Sequence, residues 1–150
     1  MMSICLALAT SACEDPTEVP DCNADLDDET CAVFRLVNEA RIDADLPPYA
    51  WDTTLAVSAQ RHAQDMVDQG YFDHTSRDGR SFSDRATDAG YDAFPSGENI
   101  AQGQRDATQV MDSWMNSPGH RANILSDTSN EIGVGLTDFT WVQVFGTRTE

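Results

Sequence analysis

The sequence predicts an α+β domain in which helices cover both faces of a small sheet. Three observations carry this expectation. Apolar residues recur at the helical period in several capped segments, and two stretches near the C-terminus alternate as strands do. No regular strand–helix–strand rhythm runs through the chain, so a doubly wound parallel sheet is not expected.

The helical period starts at about Thr30, where Val33, Val37 and Ala40 form one stripe and Phe34 widens it. Leu46-Pro-Pro-Tyr49 ends that element, because consecutive prolines forbid helix. Asp52 caps a second helix running to about Gln69, with Gly70 as its stop. Its stripe is Leu55, Ala59, His62, Ala63 and Met66. Phe72 to Arg80 is a polar loop. Ser81 and Asp84 form a capping box for a short helix ending near Gly90. Ser96 to Gln102 alternates weakly and reads as a strand. Asp106 and Gln109 pair at the start of another helix, whose stripe is Ala107, Val110, Met111 and Trp114. Ser117 then serves as N-cap and Pro118 as first residue of a helix reaching Leu125. Glu131 to Leu136 and Thr140 to Phe145 are strands, joined in a hairpin at Asp138 and Phe139.

The 150 residues suffice for one domain that buries roughly 68–70% of its unfolded surface. A net charge of -17, with nine arginines and no lysine, repels nucleic acid and anionic lipid headgroups, and excludes both as partners. Such a surface favours cations and basic ligands; it is equally the surface of a protein kept soluble in high salt. Met1 to Cys13 is apolar, then small, then cysteine, as at the end of a lipoprotein signal with Cys13 as the lipidated residue. It lacks a basic start and has Thr10 where leucine is typical, so an ordinary signal peptide is the alternative. Residues 14–29 are acidic and poor in apolar side chains, and read as a tether. The domain is placed at residues 30–150. In an exported chain, Cys22 and Cys31 pair in a disulfide; two free thiols are the other reading.

Three histidines can carry chemistry. His62 lies on an apolar stripe and reads as a satisfied core residue. His74 sits in a loop, where functional side chains concentrate. His120 falls in the first turn of its helix, where the positive helix end keeps an imidazole neutral and able to bind metal or act as a base. Glu98 points into a half-buried strand and needs a cation or hydrogen bonds. Glu131 opens the penultimate strand. Brought together, His74, Glu98, His120 and Glu131 would hold zinc or a similar divalent ion with an open position, or perform general acid–base work. Alternatively, the two histidines are surface or hydrogen-bonding residues. No G-x-S-x-G, H-E-x-x-H or phosphate loop is present, and every cysteine precedes residue 32.

The ordered set of segments resembles the CAP superfamily of cysteine-rich secretory, antigen 5 and pathogenesis-related 1 proteins, in its bacterial single-domain branch. The segments are Leu36-Val-Asn38 with Arg41, Trp51-Asp52, His62-Ala-Gln-Asp-Met66 and Phe72-Asp-His74. They continue through Gly97-Glu-Asn-Ile-Ala101, Trp114, Ser117-Pro-Gly-His-Arg-Ala-Asn-Ile-Leu125, Glu131-Ile-Gly-Val-Gly135 and Trp141-Val-Gln-Val-Phe-Gly146. The resemblance implies a three-layer α-β-α sandwich around a small antiparallel sheet, with a cleft of two histidines and two acids. His74 matches the first histidine, Glu98 the acid of the Gly-Glu-Asn motif and His120 the second histidine. The Trp-x-x-Glu of eukaryotic relatives is absent, since Ser117 stands where its glutamate would be, and Glu131 is the substitute. The resemblance further implies an extracellular or cell-surface, monomeric protein with a divalent metal, zinc, in the cleft. Its ligand would be a small molecule, lipid or protein, and membrane contact would run only through an anchor at Cys13. Three functions compete: a metal-capable binding module, a metal-dependent hydrolase of peptidase type with Glu98 as base, and a sterol or lipid carrier.

Overall fold

The computed structural model describes residues 15, 17–20 and 28–150. The expected leader with Cys5 and Cys13, most of the acidic tether, and Cys22 lie outside the described residues. Cys31 is disulfide-bonded. Among the described residues, five helices and four strands follow in the order α1 (Asp28–Asp43), β1 (Ala50–Trp51), α2 (Thr53–Gln69), α3 (Phe82–Asp88), β2 (Phe94–Gln102), α4 (Ala107–Met115), α5 (Pro118–Ile124), β3 (Glu131–Thr137) and β4 (Thr140–Thr147). Among the described residues no helix is long and apolar enough to cross a membrane.

Local chemistry sets most of the boundaries. The Asp52 carboxylate accepts from the Leu55 N–H at 2.8 Å, and Gly70 closes α2 in the left-handed region at φ 65°. Ser81 and Asp84 form the reciprocal capping box of α3. Asp106 caps α4 through the Gln109 N–H. Helix α1 starts two residues before the expected Thr30, and the Glu29 carboxylate in its first turn accepts from the Ala107 N–H, tying α1 to the start of α4. Ser117 does occupy the N-cap position of α5, but its hydroxyl makes no capping hydrogen bond. The turn there is held instead by Pro118 and the backbone bond from Arg121 N–H to Ser117 O.

The sheet runs β1-β3-β4-β2. The β3–β4 and β4–β2 pairs are antiparallel as expected, while β1 adds a parallel two-residue edge. That strand has no sequence signal, because the two residues Ala50 and Trp51 before the Asp52 cap are too few to alternate. Alternation along β3 and β4 divides the core into two layers. Ile132, Val134, Trp141 and Phe145 face α1, α4 and α5; Val142 and Val144 face α2 and α3. On this second face β3 presents Gly133 and Gly135. A Cβ at Gly133 would lie 2.1 Å from the backbone nitrogen of Ala56, and one at Gly135 would lie 2.4 Å from that of Gln60. The backbone of α2 therefore rests directly on the sheet, and the Gly-Val-Gly spacing is what permits it. The hairpin between β3 and β4 turns at Asp138 and Phe139, both with positive φ, as a tight two-residue turn demands.

One buried cation fastens the other layer. Arg41 is almost fully buried at the end of α1 and stacks 3.6 Å over the Tyr49 ring. It donates to Pro47 O, Ile124 O and Ser126 O, joining α1, the loop after it and the end of α5. Burial holds its pKa below the usual arginine value. The three carbonyls offset the desolvation of the guanidinium.

Candidate functional site

The site lies on β2, the edge strand opposite β1. Glu98 pairs with Val144 and so projects on the α2/α3 face, where its side chain is 1% exposed. A carboxylate so buried requires positive partners. Arg85 of α3 supplies one, with Nη2 donating to Oε2 at 2.6 Å, and His74 supplies the other, with Nδ1 2.8 Å from Oε1. Arg85 is itself buried, and its Nη1 donates to His74 O, Ser76 Oγ and Arg80 O. The same guanidinium thus neutralises Glu98 and folds the loop that carries His74. Sequence reasoning missed Arg85. Its signal was the spacing of Phe82, Arg85 and Ala86 at i, i+3 and i+4, which puts the arginine on the inward side of a short helix.

His120 reaches the same edge from the opposite face. Helix α5 packs with α1 and α4 through Ile124, and its polar side chains clamp the free edge of β2. Asn99 Nδ2 donates to His120 O and to Gln143 Oε1. Asn123 Nδ2 donates to Asn99 Oδ1 at 2.9 Å and to Glu98 O at 3.3 Å, and Trp114 Nε1 donates to Ile100 O. Side chains thereby satisfy edge carbonyls that another strand would otherwise pair. Gly97 permits this clamp, since a Cβ there would sit 3.1 Å from Asn123 Oδ1.

The two cleft imidazoles are tuned in opposite directions. The hydrogen bond to Glu98 raises the His74 pKa above its ordinary value, against a smaller opposing effect of burial. Burial lowers that of His120, and the charge on nearby His74 lowers it further. The shift of His120 has the direction expected from the sequence, with burial as its larger cause and the His74 charge as the smaller. His74 directs Nδ1 at a buried carboxylate while its side chain is 54% exposed, so Nε2 lies on the open side of the ring. His62 is the core residue the sequence implied. It is buried, its Nε2 lies 2.9 Å from Asp73 O, and burial depresses its pKa. That bond anchors the backbone immediately before His74.

Glu131 is not brought to the histidines. It shares the α2/α3 face with Glu98 but sits two strands away, roughly 10 Å of sheet. Its oxygens accept from Tyr91 Oη at 2.6 Å and Arg148 Nε at 2.7 Å. Tyr91 in turn occupies the space beside Gly146 that a side chain would fill. Among the described residues no group of three or more histidine, cysteine, aspartate or glutamate side chains is placed to hold a metal ion. Both Glu98 oxygens are already engaged. The donor set does not fit a closed zinc site with three or four protein ligands. What it offers is two imidazoles, one of them oriented by a carboxylate.

The model of the cysteine-rich secretory protein family, CAP, matches residues 34–145. Among curated proteins, the chain is 42% identical over 115 residues to an uncharacterized protein of Bacillus subtilis, YkwD, covering 75% of this chain and 45% of that protein. It is 33% identical over 113 residues to an uncharacterized membrane protein of the same species, YlbC, covering 75% and 33%. The chain thus spans less than half the length of these two relatives. Among solved structures, an extracellular protein containing a SCP domain from Bacillus anthracis superposes with TM-score 0.75 at 35% identity, covering 77% of this chain and 39% of that one. An outer surface protein of Borrelia burgdorferi superposes with TM-score 0.71 at 24% identity, covering 78% and 90%, a likeness of fold alone.

Proposed function

The chain belongs to the cysteine-rich secretory protein (CAP) family, and from that premise we propose that it is an exported or surface-tethered binding module. Its cleft at the β2 edge takes up a divalent cation, zinc being the first choice, through His74 and His120. The single observation supporting this is the chain of contacts Arg85–Glu98–His74. In its neutral form a histidine that gives Nδ1–H to a buried carboxylate carries its lone pair on Nε2, the usual arrangement behind a metal-ligating imidazole; because the same carboxylate raises the His74 pKa, the ion displaces a proton on binding. Glu98 is thereby an orienting group rather than a ligand. Two imidazoles leave most coordination positions to water or to a ligand, so the ion is exchangeable. The extracellular relative from Bacillus anthracis favours export, with attachment through Cys13 as the proposed tether.

The hydrolase reading is less favoured, because a general base must reach the attacking water, whereas the Glu98 side chain is 1% exposed and paired with Arg85. A lipid carrier needs an apolar groove, and the cleft is bordered by polar side chains. Zinc calorimetry on the full chain, purified without a metal-affinity tag and with the Cys31 disulfide intact, tests the proposal against a His74→Ala/His120→Ala double variant. A one-to-one site lost in the double variant is expected. Identical weak binding in both proteins would show only the acidic surface and would refute the cation site.

A further inference from the structure

Arg85 has a second face. It lines a cavity of about 230 Å³ between α2, α3 and the 73–80 loop, whose lining includes none of His74, Glu98, His120 or Glu131. The rim carries exposed Arg61, Arg80 and Asp88 and half-buried Asp65, whose carboxylate accepts from Gln69 Nε2 and Tyr71 Oη, while Ser58, His62, Ser76 and Arg85 line it as buried residues. Three buried polar atoms of these lining residues have no hydrogen-bond partner: Ser58 Oγ, His62 Nδ1 and Arg85 Nε. Buried polar groups are nearly always paired, so three orphans around one cavity call for an occupant. The rim adds an uncommitted cation. Arg80 is paired with Asp78 and Asp88, whereas Arg61 forms no hydrogen bond or ion pair among the described residues.

The chemistry of these groups defines what fits. Arg61 offers a planar fork of N–H donors suited to a carboxylate. Arg85 Nε adds one N–H, and the Ser58 hydroxyl donates or accepts. His62 contributes an acceptor: its Nε2 faces a carbonyl and must carry the proton, which leaves Nδ1 with a lone pair in the neutral ring. An acceptor beside an anion is unfavourable unless the ligand also brings a donor. We propose that this cavity is a second binding site, taking a small carboxylate that bears a hydroxyl or amino group on the adjacent carbon. The volume admits only a molecule of few heavy atoms, below the usual range for larger organic ligands. The orphaned atoms are closed to solvent in the empty cavity, so seating the ligand requires small side-chain rotations on the lining.

The test is a titration of the full chain with glycolate and with glycine, followed by the backbone amide and imidazole resonances of Ser58, His62 and Arg85. Acetate, which lacks the donor, and ethylene glycol, which lacks the charge, are the comparators. Saturable shifts at these three residues are expected with glycolate or glycine, with binding roughly tenfold or more weaker for each comparator. Arg61→Gln, a change at an exposed residue that should not disturb folding, is expected to weaken binding roughly tenfold, and Ser58→Val to weaken it similarly by removing the hydroxyl. Absence of saturable shifts with either ligand would mean a cavity that holds water alone and would overturn the proposal. Equal affinity for all four compounds, or unchanged affinity in Arg61→Gln, would overturn it as well.

Discussion

Replacing Glu98 by glutamine tests the chain of contacts on which the cleft is built. The substitution keeps the shape and removes the charge. Arg85 is 6% exposed and Glu98 1% exposed, with a single 2.6 Å contact between them, so the guanidinium would be left buried without a counter-charge. Breaking a buried pair from one side costs about 3–5 kcal/mol. For a domain of this size that corresponds to a fall in Tm of roughly 10–20 °C. The second consequence concerns pH. In the folded protein the His74 pKa lies above its ordinary 6.5 because of Glu98. A raised folded pKa contributes stability that is fully present below pH 6.5 and fades as pH rises through the folded value. Glu98→Gln should remove that dependence as well as lowering stability throughout. Thermal unfolding from pH 5 to 8, with NMR titration of the His74 ring, reads both effects. A variant within about 1 kcal/mol of the parent, with His74 titrating unchanged, would refute the assignment of Glu98 as the shared partner of Arg85 and His74.

Two further predictions separate local from tertiary causes. Ser117→Ala should change stability by less than about 0.5 kcal/mol, because the hydroxyl makes no capping bond, whereas Asp52→Ala should cost about 1 kcal/mol through the lost bond to Leu55; denaturant midpoints of the two variants compare them directly. Gly133→Ala should destabilise by about 3 kcal/mol or more, since its Cβ meets helix backbone at 2.1 Å and backbone cannot rotate aside; a loss of less than 1 kcal/mol in the same assay would mean that α2 can lift off the sheet at little cost.

Much of this architecture was legible in the residues. The limits of α2, the capping box of α3, the stripe of α4 and the β3–β4 hairpin follow from patterns within a few residues, where caps and periodicity act. The two layers on either face of a small sheet follow from the same alternation. The sequence also marked His74, Glu98 and His120 as chemically unusual, and His62 as a core residue. Arg85 it marked only through the i, i+3, i+4 spacing with Phe82 and Ala86, which turns the arginine inward without saying which carboxylate it meets. Nor could it separate Glu131 from the others, because a glutamate at the head of a strand reads alike whether it meets a histidine or the Tyr91–Arg148 pair. The short β1 strand and the clamp of Asn123 on β2 escaped notice for the same reason. Sequence patterns encode periodicity, capping and turns because those interactions are local. The partners of a buried charge are chosen by packing between segments far apart in the chain, and only the tertiary structure decided them.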